Sequence, residues 1–295
     1  MALAAIVLTL ASVASAAPSL DARQAITTMA AANIATFKPF SFYAAAGYCS
    51  PASTLAWNCG TNCAGNPTFQ PIASGGDGDA TQFWYVGYDP TLETVIVTHQ
   101  GTDSSKILPW VTDIDFFLES LDPTLFPGLS SSIEAHNGFA AEQAKTATQV
   151  LAAVKTGISK FGAKKVTMVG HSLGAALALL DSVYLPLHIS GVTFRTVVYG
   201  LPRVGNQAFA DYASTGSTVT HINNKEDIVP ILPGRFLGFH HPTGEIHIQD
   251  SGAWDVCPGE DNTSTLCSTG DVPNILDGES GDHQGPYDGV EMNCS

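Results

Sequence analysis

The fold class this sequence predicts is α/β: a central, mostly parallel sheet with helices packed on it. Three observations predict it. Short β-rich runs alternate with segments of helical periodicity, which calls for a parallel sheet covered on both faces. Of 295 residues, 44% are apolar, enough for one large core. Only 13% are charged, which suits a big buried sheet and not a disordered chain. Length alone would allow one domain or two. No linker, repeat or low-complexity stretch divides the chain, so residues 17–295 are read as a single domain behind a leader of residues 1–16.

That leader reads as a signal peptide. Leu3 to Leu10 are almost wholly apolar, and Ala14-Ser15-Ala16 supplies the small-x-small cleavage site, although the n-region holds no Lys or Arg. Cleavage after Ala16 would leave Ala17-Pro18 at the new terminus. No later run approaches the length of a membrane span, so the expectation is a secreted, extracellular protein without a transmembrane anchor. The net charge of −15 is unevenly placed: no Lys or Arg follows Arg235, while acids continue from Glu245 to Glu291. Such a surface repels phosphate, which excludes nucleic acid and anionic membranes as partners. Six cysteines, an even number in an exported chain, imply three disulfides. Cys59 and Cys63 could be half of a metal site, but no second close Cys or His pair complements them, so no metal is expected. Asn262-Thr-Ser is a glycosylation sequon in a polar loop. Asn293-Cys-Ser also fits but is discounted, because its cysteine should be oxidised.

Along the chain, Gly75-Gly-Asp-Gly-Asp79 resembles one calcium-binding nonapeptide repeat, but it occurs once and lacks the last Asp, so it reads as a turn. Phe83 to Tyr88 and Thr94 to Thr98 form a hairpin through Asp89-Pro90. Glu142 to Lys160 carries Val150, Leu151, Val154 and Ile158 at helical spacing, so one face packs on a sheet. Lys165 to Val169 is a short buried strand, and Leu173 to Leu185 a helix stopped by Pro186. Val197 and Val198 lie on another strand, Gln207 to Ala213 on a helix, and Val219 to Ile222 on a further strand. Sheets of this kind place their ligands at the carboxyl ends of the strands, which is where chemistry is to be sought.

Gly170-His-Ser-Leu-Gly174 fits G-x-S-x-G. The bare pattern is weak, but its context is specific: a strand delivers Ser172 and a helix starts directly after it, as the nucleophile elbow of an α/β-hydrolase fold requires. A serine hydroxyl needs a base to take its proton and an acid to hold the base, here in the order Ser, acid, His. His99 and His136 precede the serine, and His171 sits inside the elbow. His221, His240, His241 and His247 crowd the acid on strand-like segments. His283, in the turn-rich loop Gly281-Asp-His-Gln-Gly-Pro-Tyr287, is the remaining candidate base. Asp227, after the strand ending at Ile222, is the candidate acid, with Glu226 the runner-up; Asp181 on the elbow helix reads as a solvated face. The tetrahedral intermediate needs N–H donors. The backbone of Leu173 should be one and Thr102 the other, in the loop after Val95-Ile-Val-Thr-His-Gln-Gly101, where Thr102 could offer its amide and its hydroxyl.

The run Gly170-His-Ser-Leu-Gly-Ala-Ala176 resembles the elbow of the fungal class 3 lipases, although position 175 is Ala where many members have Gly. His136-Asn-Gly-Phe139, Tyr199-Gly-Leu-Pro-Arg-Val-Gly-Asn206, Asp227-Ile-Val-Pro230 and Asp282-His283 fall in the family's order. Phe236 to Ile248 resembles its basidiomycete branch, and the resemblance covers the chain from about Tyr48 to the C-terminus. It implies a triad of Ser172, Asp227 and His283, an oxyanion hole of Thr102 and Leu173, and no cofactor. It implies the disulfides Cys49–Cys294 and Cys59–Cys63, which leaves Cys257–Cys267. The first would stabilise most, on the order of 4–5 kcal/mol in the chain-entropy model. It implies, too, a lid over Asp103 to Phe116, where Ile107, Leu108, Trp110 and Val111 stand among Asp103, Lys106, Asp113 and Asp115. Pro109 departs from the family's pattern and is expected to shorten the lid helix. The activity implied is hydrolysis of long-chain acylglycerols at an oil–water interface by a monomer. A feruloyl-type or other soluble-ester esterase is the second reading, and a non-catalytic lipid-binding homologue the third.

Overall fold

The computed structural model describes residues 25–102 and 117–295. The predicted leader and the predicted lid, with Ile107, Leu108, Trp110 and Val111, lie outside the described residues. Thirteen strands are described. β1 is Thr27–Thr28, β2 Gln70–Gly75, β3 Trp84–Asp89, β4 Thr94–His99, β5 Leu118–Ser120, β6 Glu134–His136 and β7 Lys165–His171. β8 is Thr193–Tyr199, β9 Gly205–Asn206, β10 Thr218–Asn224, β11 Phe239–His240, β12 Glu245–Ile248 and β13 Trp254–Cys257.

Nine of them form one sheet in the order β1-β13-β12-β10-β8-β7-β4-β3-β2. Its centre, β4, β7, β8, β10 and β12, is parallel, and both flanks are antiparallel. This is the α/β-hydrolase arrangement the elbow motif called for. The parallel strands advance across the sheet in chain order, so each crossover steps the same way. Right-handed crossovers then put their helices on one face. There lie the long helix Asn137–Phe161, the elbow helix Leu173–His188 and the helix Gln207–Gly216, around Val95, Val97, Met168 and Val198. The intervening residues Ile96, Val169, Val197 and Tyr199 point the other way, against the helix Lys38–Ala46. Period-two alternation inside near-continuous apolar runs therefore feeds two cores.

The long helix starts five residues before the predicted one, at Asn137. The His136 ring caps it, accepting from the amides of Gly138 (3.0 Å) and Phe139 (3.3 Å), and Gly162 ends it at a φ of 65°. The elbow helix does not stop at Pro186; it runs on to His188. A proline in the last turn forfeits a single backbone bond, and Leu185 and Leu187 remain packed on the core.

Disulfides join Cys49 to Cys294, Cys59 to Cys63 and Cys257 to Cys267. The last residues of the chain dock on the Cys59–Cys63 loop, where Asn62 Nδ2 donates to the carbonyl of Asn293 at 2.7 Å and the Thr61 amide to that of Ser295 at 3.0 Å.

Burial of histidines has a consequence for stability. Burial lowers His136 to about 4 and His241 to about 3, and it holds His171 and His221 below their ordinary value as well. All four fold as neutral rings, whereas the unfolded chain takes up protons near 6.5. Between the folded and unfolded values the unfolded state binds more protons, so stability is full above pH 6.5 and falls as the pH drops below it. Each ring contributes a slope of up to about 1.4 kcal/mol per pH unit. Glu226, Glu260, Asp271 and Asp282, raised chiefly by burial, act in the opposite sense and blunt the loss near the carboxylate range. The melting temperature should be level from pH 8 to 7 and fall steadily from 6.5 to 5. Calorimetry across that range checks it, and a level profile down to pH 5 would count against four neutral buried rings.

Candidate active site

Ser172 sits between the end of β7 and the elbow helix at φ 58° and ψ −129°, a conformation that costs a non-glycine residue on the order of 1–3 kcal/mol. The surroundings hold it there. Its amide donates to the Tyr199 carbonyl at 3.0 Å, and its own carbonyl accepts from Ala175 (2.9 Å) and Ala176 (3.2 Å). Both glycines of the pentapeptide are required by space. A Cβ on Gly170 would stand 2.2 Å from the Gly174 carbonyl oxygen, and one on Gly174 2.3 Å from that of His99.

His283 lies in the one-turn helix Ser280–Gln284 and is fully buried. Its Nδ1 is 2.7 Å from Asp227 Oδ2. Asp227 follows β10 through a turn in which Lys225 has φ 46°, and its Oδ1 accepts from the Val229 amide at 2.8 Å. A carboxylate can only accept, so His283 Nδ1 carries the hydrogen and Nε2 keeps its lone pair. That Nε2 is buried and has no hydrogen-bond partner among the described residues. Glu226 makes no such contact. It is half-buried, and burial together with Asp250, Asp271, Asp282 and Glu279 pushes its carboxyl up.

Residues that the sequence reading passed over fix the His283 backbone. The His171 ring, fully buried and held neutral by burial and by His283, has Nε2 2.7 Å from the His283 carbonyl oxygen and Nδ1 2.6 Å from the Tyr48 hydroxyl. One tautomer satisfies both contacts: Nε2–H donates to the carbonyl, and Nδ1 accepts from Tyr48. Tyr287 Oη also donates to the His283 carbonyl, at 3.2 Å, and Asn224 Nδ2 donates to that of Asp282 at 2.8 Å. Gly200, at φ 52°, lies beneath the ring; a Cβ there would be 2.7 Å from His283 Cε1.

Thr102 is buried, and its hydroxyl has no partner among the described residues. The preceding Gly101 is wedged so closely that a Cβ would be 2.1 Å from the Tyr48 hydroxyl and 2.5 Å from the His171 carbonyl oxygen. Leu173 opens the elbow helix, whose N-terminus has no side-chain cap. First-turn amides of a helix lack intrahelical acceptors, so this end suits a developing negative charge. Asp181 differs from its predicted place on a solvated face. It is fully buried, with Oδ2 2.7 Å from His99 Nε2 and Oδ1 accepting from Gln143 Nε2 at 2.9 Å. Its face of the helix turns toward the long helix, which the local pattern did not reveal. Asn262, the sequon residue, is half-buried and donates its amide to the Pro258 carbonyl at 2.9 Å.

Comparison with known proteins returns one family: the profile of the lipases of class 3 matches residues 96–237. The chain is 30% identical over 273 residues to a secreted mono- and diacylglycerol lipase of Malassezia globosa, covering 88% of this chain and 86% of that one. The triacylglyceride lipase of Rhizomucor miehei superposes with a TM-score of 0.79 at 27% identity, over 92% of this chain and 100% of that chain. A second solved structure, of a triacylglycerol lipase whose catalytic centre is formed by a serine protease triad, also gives a TM-score of 0.79 at 27% identity, with the same coverage of 92% and 100%.

Crowding under the His283 ring makes Gly200 a sharp probe. Gly200→Ala should tilt the ring and slow the reaction of Ser172 with an alkyl fluorophosphonate by about tenfold or more. Gly191 has φ 77° with nothing within 4 Å, so Gly191→Ala carries a similar backbone strain without the clash. It should label at the parental rate. Equal labelling of both variants would mean that the ring has room to spare.

Proposed function

Because the chain belongs to the class 3 lipase family, we propose that it is a secreted serine hydrolase that cleaves the ester bonds of acylglycerols through a Ser172–His283–Asp227 triad. The observation that carries this reading is the buried Asp227–His283 pair, whose free Nε2 belongs to a ring packed on the elbow that strains Ser172. In the mechanism, Ser172 Oγ attacks the ester carbonyl carbon while its proton passes to His283 Nε2. Asp227, already bonded to Nδ1, stabilises the imidazolium without taking its proton. The amides of Thr102 and Leu173 hold the oxyanion, with the Thr102 hydroxyl as a further donor. His283 then returns the proton to the departing alcohol, leaving an acyl-serine. Water, deprotonated by His283, releases the fatty acid and restores the serine.

Location beyond the cell is supported by the Ala14-Ser15-Ala16 leader, the three disulfides and the secreted relatives. A water-insoluble substrate is supported by large apolar side chains left in water on the loops that carry the triad. Phe236 is 89% exposed nine residues after Asp227, and Leu276 is 89% exposed seven residues before His283. Phe117, beside the predicted lid, is exposed as well. A soluble ester needs no such exposed apolar side chains. Single apolar residues in water are ordinary, and it is their place in the segments next to Asp227 and His283 in sequence that carries the argument.

Ser172→Ala should lower kcat by several orders of magnitude, about 10⁴-fold or more, while the protein stays folded. A folded variant keeping a tenth of the activity would overturn the assignment. Asp227→Asn should be badly impaired, because the neutral amide favours the wrong His283 tautomer, and Glu226→Gln should be nearly silent. The opposite pattern would move the acid one residue along. On substrates, hydrolysis of emulsified triolein or monoolein should exceed that of methyl ferulate. Burying an apolar side chain contributes about 1.5–3 kcal/mol, so the double change Phe236→Ser and Leu276→Ser should cost about tenfold or more on the emulsion. It should spare p-nitrophenyl acetate. Equal losses on both, or faster turnover of methyl ferulate, would favour the soluble-ester reading.

A further inference from the structure

We propose that His99 and Asp181 are positioning residues that hold the oxyanion loop at a set distance from the elbow helix; the proposal rests on the triad and oxyanion roles given above. The two oxyanion amides belong to different elements. Thr102 is in the loop that follows β4, and Leu173 is the first residue of the elbow helix. Their separation is therefore a matter of how β4 docks on that helix.

His99 is the last residue of β4, three before Thr102, and it meets the elbow helix at two levels. Its carbonyl oxygen packs on Gly174, where a Cβ would come to 2.3 Å. Its ring reaches Asp181, two turns further along, with Nε2 2.7 Å from Oδ2. Among the described residues this is the one side-chain hydrogen bond that joins β4 to the elbow helix. Asp181 is held in turn by Gln143 of the long helix, whose Nε2 donates to Oδ1 at 2.9 Å. Three elements thus meet on one carboxylate that is fully buried.

Apolar packing alone tolerates small slips of strand against helix, because dispersion is not directional. Two hydrogen bonds to one carboxylate fix both height and rotation. A buried carboxylate is also a poor device for stability, since a well-packed apolar residue does as well or better there. Retaining it here sets geometry. An oxyanion hole is sensitive to that geometry, because its donors must meet the oxygen as charge develops.

The experiment counts competent enzyme by titration with an alkyl fluorophosphonate and measures kcat per titrated site on p-nitrophenyl butyrate, below the melting temperature. His99→Leu should lower kcat by about tenfold or more, with KM within about twofold, because the loss falls on the transition state. Affinity for an alkylboronic acid, which places an oxygen in the same hole, should fall by a like factor. His99→Gln keeps an N–H donor toward Asp181 and should recover kcat to within about threefold of the parent. A His99→Leu enzyme with a lower melting temperature but parental kcat per site and parental boronate affinity would overturn the proposal, for that is what a purely structural pair does. Where His99→Leu fails to fold, Gln143→Leu takes its place. It should cost about threefold in kcat, and an unchanged value would be equally decisive. Ser172→Ala separates the two levels of the argument. If it is inactive and unlabelled, the His99 variants judge the positioning role alone; if it turns over normally, the site assignment falls and this proposal with it.

Discussion

The strained backbone at Ser172 is the constraint on which the rest of the structure depends. A serine at φ 58° and ψ −129° would relax if its neighbours allowed it. They do not, because the residue is gripped from both sides. β7 pairs with β8 along its whole length and with β4 from Val166 to Gly170, and the elbow helix buries nearly every residue of its first three turns. Two glycines admit the approach, with backbone atoms closer to their Cβ positions than any side chain would permit. A large apolar core thus offsets a local cost of a few kcal/mol. The result is that Ser172, the proposed nucleophile, stands at the carboxyl edge of the sheet, at the mouth of an uncapped helix N-terminus.

A second theme is the way hydrogen bonds set the state of each ring. His283 is fixed by a carboxylate, which leaves Nε2 as the acceptor. His171 is fixed in one tautomer by a carbonyl and a phenol, and burial, with His283 beside it, keeps it uncharged. A cation at His171 would oppose the imidazolium that the proposed mechanism forms at His283, so its neutrality suits that proton transfer. The cost is acid lability, since every ring folded as a neutral base draws protons toward the unfolded chain.

The parts of this architecture that were legible in the sequence are those set by local pattern and chain order. The hairpin of β3 and β4 was legible because Asp89-Pro90 separates two β-rich runs. Ser172 was legible because strand, glycines and helix adjoin it. Asp227 and His283 came from order alone, and the structure brings them within 2.7 Å. Asp181 was misplaced because an aspartate on a helix is normally solvated; its partners His99 and Gln143 lie 82 and 38 residues away in sequence. Tyr48 carried no signal, since its contact with His171 spans 123 residues. Two-residue strands such as β9 and β11 have no periodicity to detect. Pro186 misled because its cost depends on its place within the helix, which sequence does not state.

Two segments far apart in sequence meet at the site, and covalent chemistry makes that meeting permanent. Cys49 follows Tyr48, whose hydroxyl bonds to His171 and whose ring backs Gly101, beside the proposed oxyanion residue Thr102. Cys294 lies eleven residues after His283, in a segment whose Met292 amide donates to the Gln284 carbonyl at 2.9 Å. The Cys49–Cys294 bond therefore ties the segment that backs Gly101 and His171 to the segment that carries His283, the proposed base. It closes a loop with a sequence separation of 245 residues, which in the chain-entropy model contributes on the order of 5 kcal/mol. Its position matters as much as that magnitude. A link elsewhere could stabilise the fold equally without restraining Tyr48 against His283. Placed here, the same bond that resists unfolding also limits how far the two halves of the site can drift apart.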